Sequence, residues 1–178
     1  MNYEQFLELI NTRQACRDFN DKPLEKQKVL DIAKTAMLAP SACNSQPWKL
    51  YCVTSPDKVV EVAKSVQGKV QNKFLDNAKA FICVADQVAE LKPEAMKKFD
   101  RNHFVQYDVG EVVAYITLAA ESMGVQSCII GWVTADTMKD ILGLESNERC
   151  NLVVALGYSD TPIRQKVRKA EEKVIVEI

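Results

Sequence analysis

The 178 residues are enough for one domain of ordinary size, 1–178, and no Pro/Gly/Ser-rich stretch or shift in composition divides them. Apolar residues at 47% and charged residues at 26% supply a sizeable core and exclude a disordered chain. With 23 Lys and Arg against 24 Asp and Glu the net charge is -1, so there is no overall basic field to gather nucleic acid or an anionic membrane, and any anion site must be local.

In chain order, Tyr3, Phe6, Leu7 and Ile10 fall at i, i+3, i+4 and i+7, which predicts a helix ending near Asn11 or Thr12. A second helix is expected from Glu25 to Met37, with Val29, Ile32, Ala33 and Ala36 on its buried stripe and Pro40 beyond its end. A polar loop, 41–46, leads into a strand from Trp48 to Val53. Ser55-Pro56-Asp57 opens the next helix, with Ser as cap and Pro at the first helical position, and that helix stops by Gly68. Ala80 to Ala85 is a six-residue apolar run with the composition of a buried strand. Asp86 to Tyr107 mixes charge with aromatic residues and reads as a short helical excursion. Asp108 to Met123 carries the strongest helical stripe, Val109, Val112, Val113, Ile116, Ala120 and Met123, and Gly124 follows where a left-handed backbone favours glycine. Gln126 to Val133 is expected as a strand, Asp136 to Leu142 as a short helix closed by Gly143, Leu152 to Tyr158 as a buried strand, and Val174 to Ile178 as an edge strand. Interspersed strands and helices imply a sheet covered by helices, while the absence of a β-G-x-G-x-x-G-α unit or P-loop disfavours a Rossmann or P-loop enzyme.

The six cysteines are scattered without a C-x-x-C pair, and the chain has one histidine, His103, which together argue against a structural zinc site or any other metal centre. The opening MNYEQFLELI is an acidic amphipathic stretch, not a basic region followed by an apolar run, so no secretory leader is expected. Apolar runs such as 152–157 are too short to span a bilayer. A reducing cytoplasm, in which the thiols stay free, is the expected compartment.

Four segments carry polar chemistry. Arg13-Gln14-Ala15-Cys16-Arg17 places two guanidinium groups just beyond a helix, a combination suited to phosphate, although an isolated R-x-x-x-R is ordinarily solvated surface. Ala39 to Trp48, APSACNSQPW, combines two backbone-stiffening prolines with short polar side chains. Its carboxamides offer the donor and acceptor pair that a heterocyclic imide requires; the plainer alternative is a helix-to-strand turn with Trp48 in the core. Arg164 to Lys169 is a basic run that becomes a dianion site only if the fold brings Lys166 and Arg168 to Arg13 and Arg17. Gly124 to Trp132 offers a glycine at which a flat group can approach the backbone, or else a core strand and turn. A Ser-His-Asp or Cys-His hydrolase would rest wholly on His103, no G-x-S-x-G elbow is present, and no carboxylate pair suggests glycosidase work. Chemistry is therefore expected to belong to a cofactor.

In this order and spacing the segments resemble the FMN-dependent nitroreductase family over nearly the whole chain, the A-P-S-x-x-N-x-Q-P-W match from Ala39 to Trp48 being the specific motif. The resemblance implies an α+β fold of the nitroreductase type with a central mixed sheet covered by helices. It also implies a domain-swapped homodimer that exchanges C-terminal segments and holds FMN at its interface. By matched position Arg13, Gln14, Ala15, Arg17, Lys166 and Arg168 would hold the FMN phosphate and ribityl chain. Pro40, Ser41 and Ala42 would come from the partner subunit against the flavin, with Asn44 fixing that loop or the ring. Ile129, Ile130 and Gly131 would line one ring face, and Gln71, or its neighbour Asn72, would stand near the pyrimidine edge. Ala15 stands where many members have Ser, which removes one hydroxyl contact. The implied reaction is a ping-pong relay from NAD(P)H through flavin N5 to a nitroaromatic, quinone or similar small-molecule acceptor. No catalytic side chain is named, because proximity and stacking supply most of the effect. Phe99, His103, Phe104 and Tyr107 are the expected substrate-pocket residues. The competing readings keep the fold: a flavin or enoate reductase, or a flavin-binding sensor or storage dimer with little turnover.

Overall fold

A computed structural model describes residues 2–69 and 71–178. Its elements are α1 (Tyr3–Thr12), α2 (Lys26–Ala36), β1 (Trp48–Val53), α3 (Pro56–Ser65), β2 (Ala80–Asp86), α4 (Pro93–Met96), α5 (Val105–Ser122), β3 (Gln126–Ile130), α6 (Ala135–Leu142) and β4 (Arg149–Gly157). Short 3-10 turns at Ala42–Asn44, Lys73–Asn77 and Glu171–Lys173 complete them. The four strands form one sheet in the order β1-β2-β4-β3, every neighbouring pair antiparallel; the parallel component is an isolated bridge between Ala15 and Ser127.

Alternation along the strands builds two cores. Ala80, Ile82 and Val84 of β2, with Val154 and Leu156 of β4, face α2 and α5, whose buried stripes include Val29, Ile32, Val112 and Ile116. Phe81, Cys83 and Ala85, with Val153 and Ala155, face α3, α6 and the segment carrying Cys16 and Phe19. The sheet is buried on both sides, which is why β2 and β4 read as unbroken apolar runs. The left-handed glycines expected at helix ends are present, Gly124 at φ 68° after α5 and Gly143 at φ 63° after α6. At α3, Pro56 occupies the first turn as expected, but the Ser55 side chain makes no capping bond.

One expectation is corrected. The segment 174–178 pairs with neither sheet edge: beyond Tyr158 the chain forms no strand and only one 3-10 turn, and Val174, Ile175, Val176 and Ile178 are exposed. Apolar side chains on both faces of that segment would need cover that one chain does not supply. The expected helix α1 is present, and its stripe lies outside both cores: the helix buries none of its residues, and Tyr3 is 73% exposed. Among the described residues no helix is long and apolar enough to cross a membrane.

Candidate functional site: a cationic cleft

After α1 the chain runs past the end of β3, where Cys16 N donates to Ser127 O (2.8 Å). The segment following β4 comes back over it. Gln14 Nε2 donates to Pro162 O (3.3 Å), Arg164 N and Nε both donate to Gln14 Oε1 (3.1 Å each), and Arg164 Nη2 donates to Ala15 O (2.6 Å). Thr161 Oγ1 to Asp18 Oδ2 (2.8 Å) and Asn20 Nδ2 to Asp160 Oδ2 (2.8 Å) continue the strap. These bonds span about 150 residues of sequence and bring the two basic segments side by side.

The result is a cleft of about 660 Å³ whose lining comes from α1 and the segment after it (Ile10, Asn11, Arg13), from the segment after β4 (Lys166, Arg168), from α5 (Gly110, Val113, Ala114, Thr117, Leu118) and from Ile129 of β3. A smaller depression beside it joins Arg13, Gln14 and Ala15 to Arg164, Lys166 and Arg168. Lys166 Nζ donates to Arg13 O (2.5 Å), and none of the ion pairs among the described residues involves Arg13, Arg17, Arg164, Lys166 or Arg168. Burial, then the nearby charges of Arg13 and Arg168, hold the Lys166 ammonium below its usual pKa. Several cations with no carboxylate between them, beside an apolar wall, form a site for a ligand that is anionic at one end and flat and apolar at the other.

The other expected residues separate into distinct places. Arg17 does not line the cleft; it lies in a separate small depression with Asp18 and Thr161 that shares Gln14, Ala15 and Arg164 with the cationic one. Ile129 is 44% exposed and lines the cleft, whereas Ile130 points through the sheet into the second core, so its contribution to the cleft is limited to main chain. Gly131 is open, and a Cβ there would meet only Leu152 Cδ2 at 3.7 Å. Gln71 is exposed and packs on Gly68, while Asn72, left-handed at φ 60°, donates through Nδ2 to Val66 O (3.0 Å); neither lines the cleft.

The 40–46 loop is a built structure, not a slack turn. Cys43, Asn44 and Gln46 all have left-handed backbones (φ 55°, 53° and 47°), uncommon for residues with side chains. Ala42 N donates to Asp108 Oδ1 (3.0 Å), Gln46 N to Ser41 Oγ (2.9 Å), and Glu90 N to Ser45 Oγ (2.6 Å). Trp48 is buried, as its plainer reading held. The four aromatic residues also come together: the Phe99 ring centroid lies 4.6 Å from that of His103 and 5.0 Å from that of Phe104, and His103 lies 6.4 Å from Tyr107. Tyr107 is one turn before Gly110 on α5, so the cluster stands at the head of the helix that walls the cleft. Neither the loop nor the aromatic cluster lines the cleft of its own chain.

Sequence reasoning missed two buried carboxylates, Asp108 and Glu148. The signal for Asp108 was a charged residue opening an otherwise apolar helical stripe; Glu148 lies in a polar turn with no pattern to betray it.

The profile described as "Nitroreductase family" matches residues 10–158. The chain belongs to the nitroreductase family. A relative from Archaeoglobus fulgidus, provisionally named NADH dehydrogenase/NAD(P)H nitroreductase, is 30% identical over 87% of this chain and 86% of its own. The crystal structure of a nitroreductase family protein from Streptococcus pneumoniae TIGR4 superposes with a TM-score of 0.85 at 25% identity, covering 97% of this chain and all of the other. The fold is shared with the NADPH:FMN oxidoreductase of Vibrio harveyi, solved in complex with NAD+, at a TM-score of 0.77 and 23% identity over 96% of this chain and 76% of that one.

Proposed function

We propose that this nitroreductase family member is an FMN-dependent oxidoreductase that uses NAD(P)H as reductant, as the names of its relatives indicate for those proteins. The observation that carries the reading is the cluster of Arg13, Lys166 and Arg168, in no ion pair among the described residues, in a cleft whose other lining residues are mostly apolar. These residues fit the cofactor. A phosphate would give the cluster the anion it lacks and offset the repulsion from Arg13 and Arg168 that, after burial, lowers the Lys166 pKa, while Ile129 and the open main chain at Gly131 suit a flat ring.

FMN held there would supply two-electron hydride chemistry, linking NAD(P)H to a nitroaromatic, quinone or similar acceptor in a ping-pong relay. The chain's own part is to bind, orient and exclude water. Arg13, Lys166 and Arg168 anchor the charged end, with Gln14 and Ala15 held beside them by Arg164, and Gly110 and Ala114 leave room along α5. No side chain acts as acid or base in this scheme.

The loop Pro40, Ser41, Ala42 and Asn44 and the roof Phe99, His103, Phe104 and Tyr107 complete a second copy's site, because neither lines the cleft of its own chain. Exposed apolar residues support such a homodimer: the stripe of α1, Tyr107 and Tyr115 on α5, and the tail 174–178, which is free to exchange between subunits. The compartment consistent with six free thiols is a reducing cytoplasm.

The test is a visible spectrum of the purified protein, heat release and chromatography of any chromophore, and NAD(P)H consumption with an added acceptor. About one FMN per chain with rapid turnover supports the reading. Flavin without turnover would favour the sensor alternative, and failure to take up added FMN would refute all the flavin readings.

A further inference from the structure

The two buried carboxylates are treated very differently by the fold. Glu148 accepts from Lys49 Nζ (2.9 Å), Tyr51 Oη (2.5 Å), Gln87 Nε2 (2.9 Å) and Glu145 N (3.1 Å). Asp108, 4% exposed, accepts from Ala42 N (3.0 Å), while its Oδ2 is buried with no hydrogen-bond partner among the described residues. A buried carboxylate so sparsely satisfied is costly, and the fold retains it at a position where its donor belongs to the strained loop. The Gln46 N to Ser41 Oγ bond closes the loop on itself, and Glu90 N to Ser45 Oγ braces its later half. The Ala42 N to Asp108 bond ties its earlier half, next to Pro40 and Ser41, to α5. Residues held in left-handed conformations persist where surrounding contacts over-determine them, and such conformations cluster at functional sites.

We infer that Asp108 is a positioning residue: through Ala42 N it sets the Pro40–Ala42 stretch that presses on the flavin of the other subunit. This rests on the function proposed above. It also gives α5 a double task, since Gly110 and Ala114 wall the cleft of their own chain while Asp108, at the head of the same helix, aims a loop at the partner's cleft.

The experiment compares wild type, Asp108→Asn and Asp108→Ala for FMN affinity by fluorescence titration, visible-region circular dichroism of the bound flavin, and dimer content. Asn keeps an acceptor for Ala42 N and is expected to stay within about threefold of wild type. Ala is expected to weaken FMN binding tenfold or more and to reduce the flavin dichroism while the dimer persists. If Asp108→Ala does not fold, Ala42→Pro removes the donor from the other side. Ser41, at φ -153° and ψ 156°, already has the extended backbone that a residue before proline adopts, and the same loosening is expected. FMN affinity within twofold of wild type and unchanged dichroism in the foldable variants would overturn the positioning role, as would an Asn variant as impaired as Ala. A wild-type protein that binds no FMN refutes the function itself, and the positioning role with it.

Discussion

Removal of Arg168 tests the cationic cleft directly. Its Nη1 donates to the carbonyl of the adjacent Val167 (2.8 Å), and no carboxylate pairs with it among the described residues, so its remaining donors are available to a phosphate. A charge-assisted hydrogen bond contributes about 1.5–3 kcal/mol, so Arg168→Ala should raise the FMN dissociation constant roughly 10- to 150-fold. Arg13→Ala should act similarly. The double variant should lose less than the sum, because both groups answer to one phosphate. Arg168→Lys should recover part of the loss, keeping the charge without the planar fork. Arg164→Ala should behave differently: its guanidinium is engaged by Gln14 and Ala15 of the strap, so its loss should lower the melting temperature more than it lowers FMN affinity. The assay is fluorescence titration of FMN at two salt concentrations, and the salt dependence should shrink as each cation is removed. FMN affinity within twofold of wild type in both Arg13→Ala and Arg168→Ala would refute the phosphate assignment.

The remaining expectations concern the rest of the molecule. Burial alone would raise the Glu148 carboxyl, but the bonds from Tyr51, Lys49, the Glu145 amide and Gln87 outweigh it and hold the pKa at about 2 against an ordinary 4.5. A depressed pKa contributes stability above the ordinary value that is lost as pH falls from 4.5 toward 2. The bound of about 3.4 kcal/mol is screened by solvent around Lys49 to roughly 1–2. Urea unfolding of wild type should therefore weaken across that window, and Glu148→Gln should flatten the slope; equal slopes would count against the network. A Cβ at Gly157 would lie 2.8 Å from Cδ1 of the buried Phe19, so Gly157→Ala should cost about 1–3 kcal/mol in thermal unfolding, and an unchanged melting temperature would show that Phe19 yields freely. Phe99→Ala and His103→Ala should shift the ratio of kcat/KM between acceptors with FMN affinity retained; an unchanged ratio would remove the aromatic cluster from the substrate pocket.

Much of this protein was legible in the chain because periodicity is a local property. The stripe of α5, the capped end at Gly124 and the buried runs of β2 and β4 are set by which residues recur at 3.6 or 2, and those elements appear within a few residues of their expected ranges. The APSACNSQPW segment declared itself through its order of prolines and carboxamides, and Arg13 and Arg168 through charge. What local pattern does not encode is distance. Only the tertiary structure laid the 160–168 strap over residues 13–20, turning two unremarkable basic runs into one cleft and setting Arg17 aside from it. Only strand alternation in the folded sheet sent Ile129 to the cleft and Ile130 to the core. Asp108 and Glu148 were silent for the same reason: a carboxylate is recognised as buried and bonded by the groups that surround it, and Ala42, Lys49, Tyr51 and Gln87 reach them from distant parts of the chain.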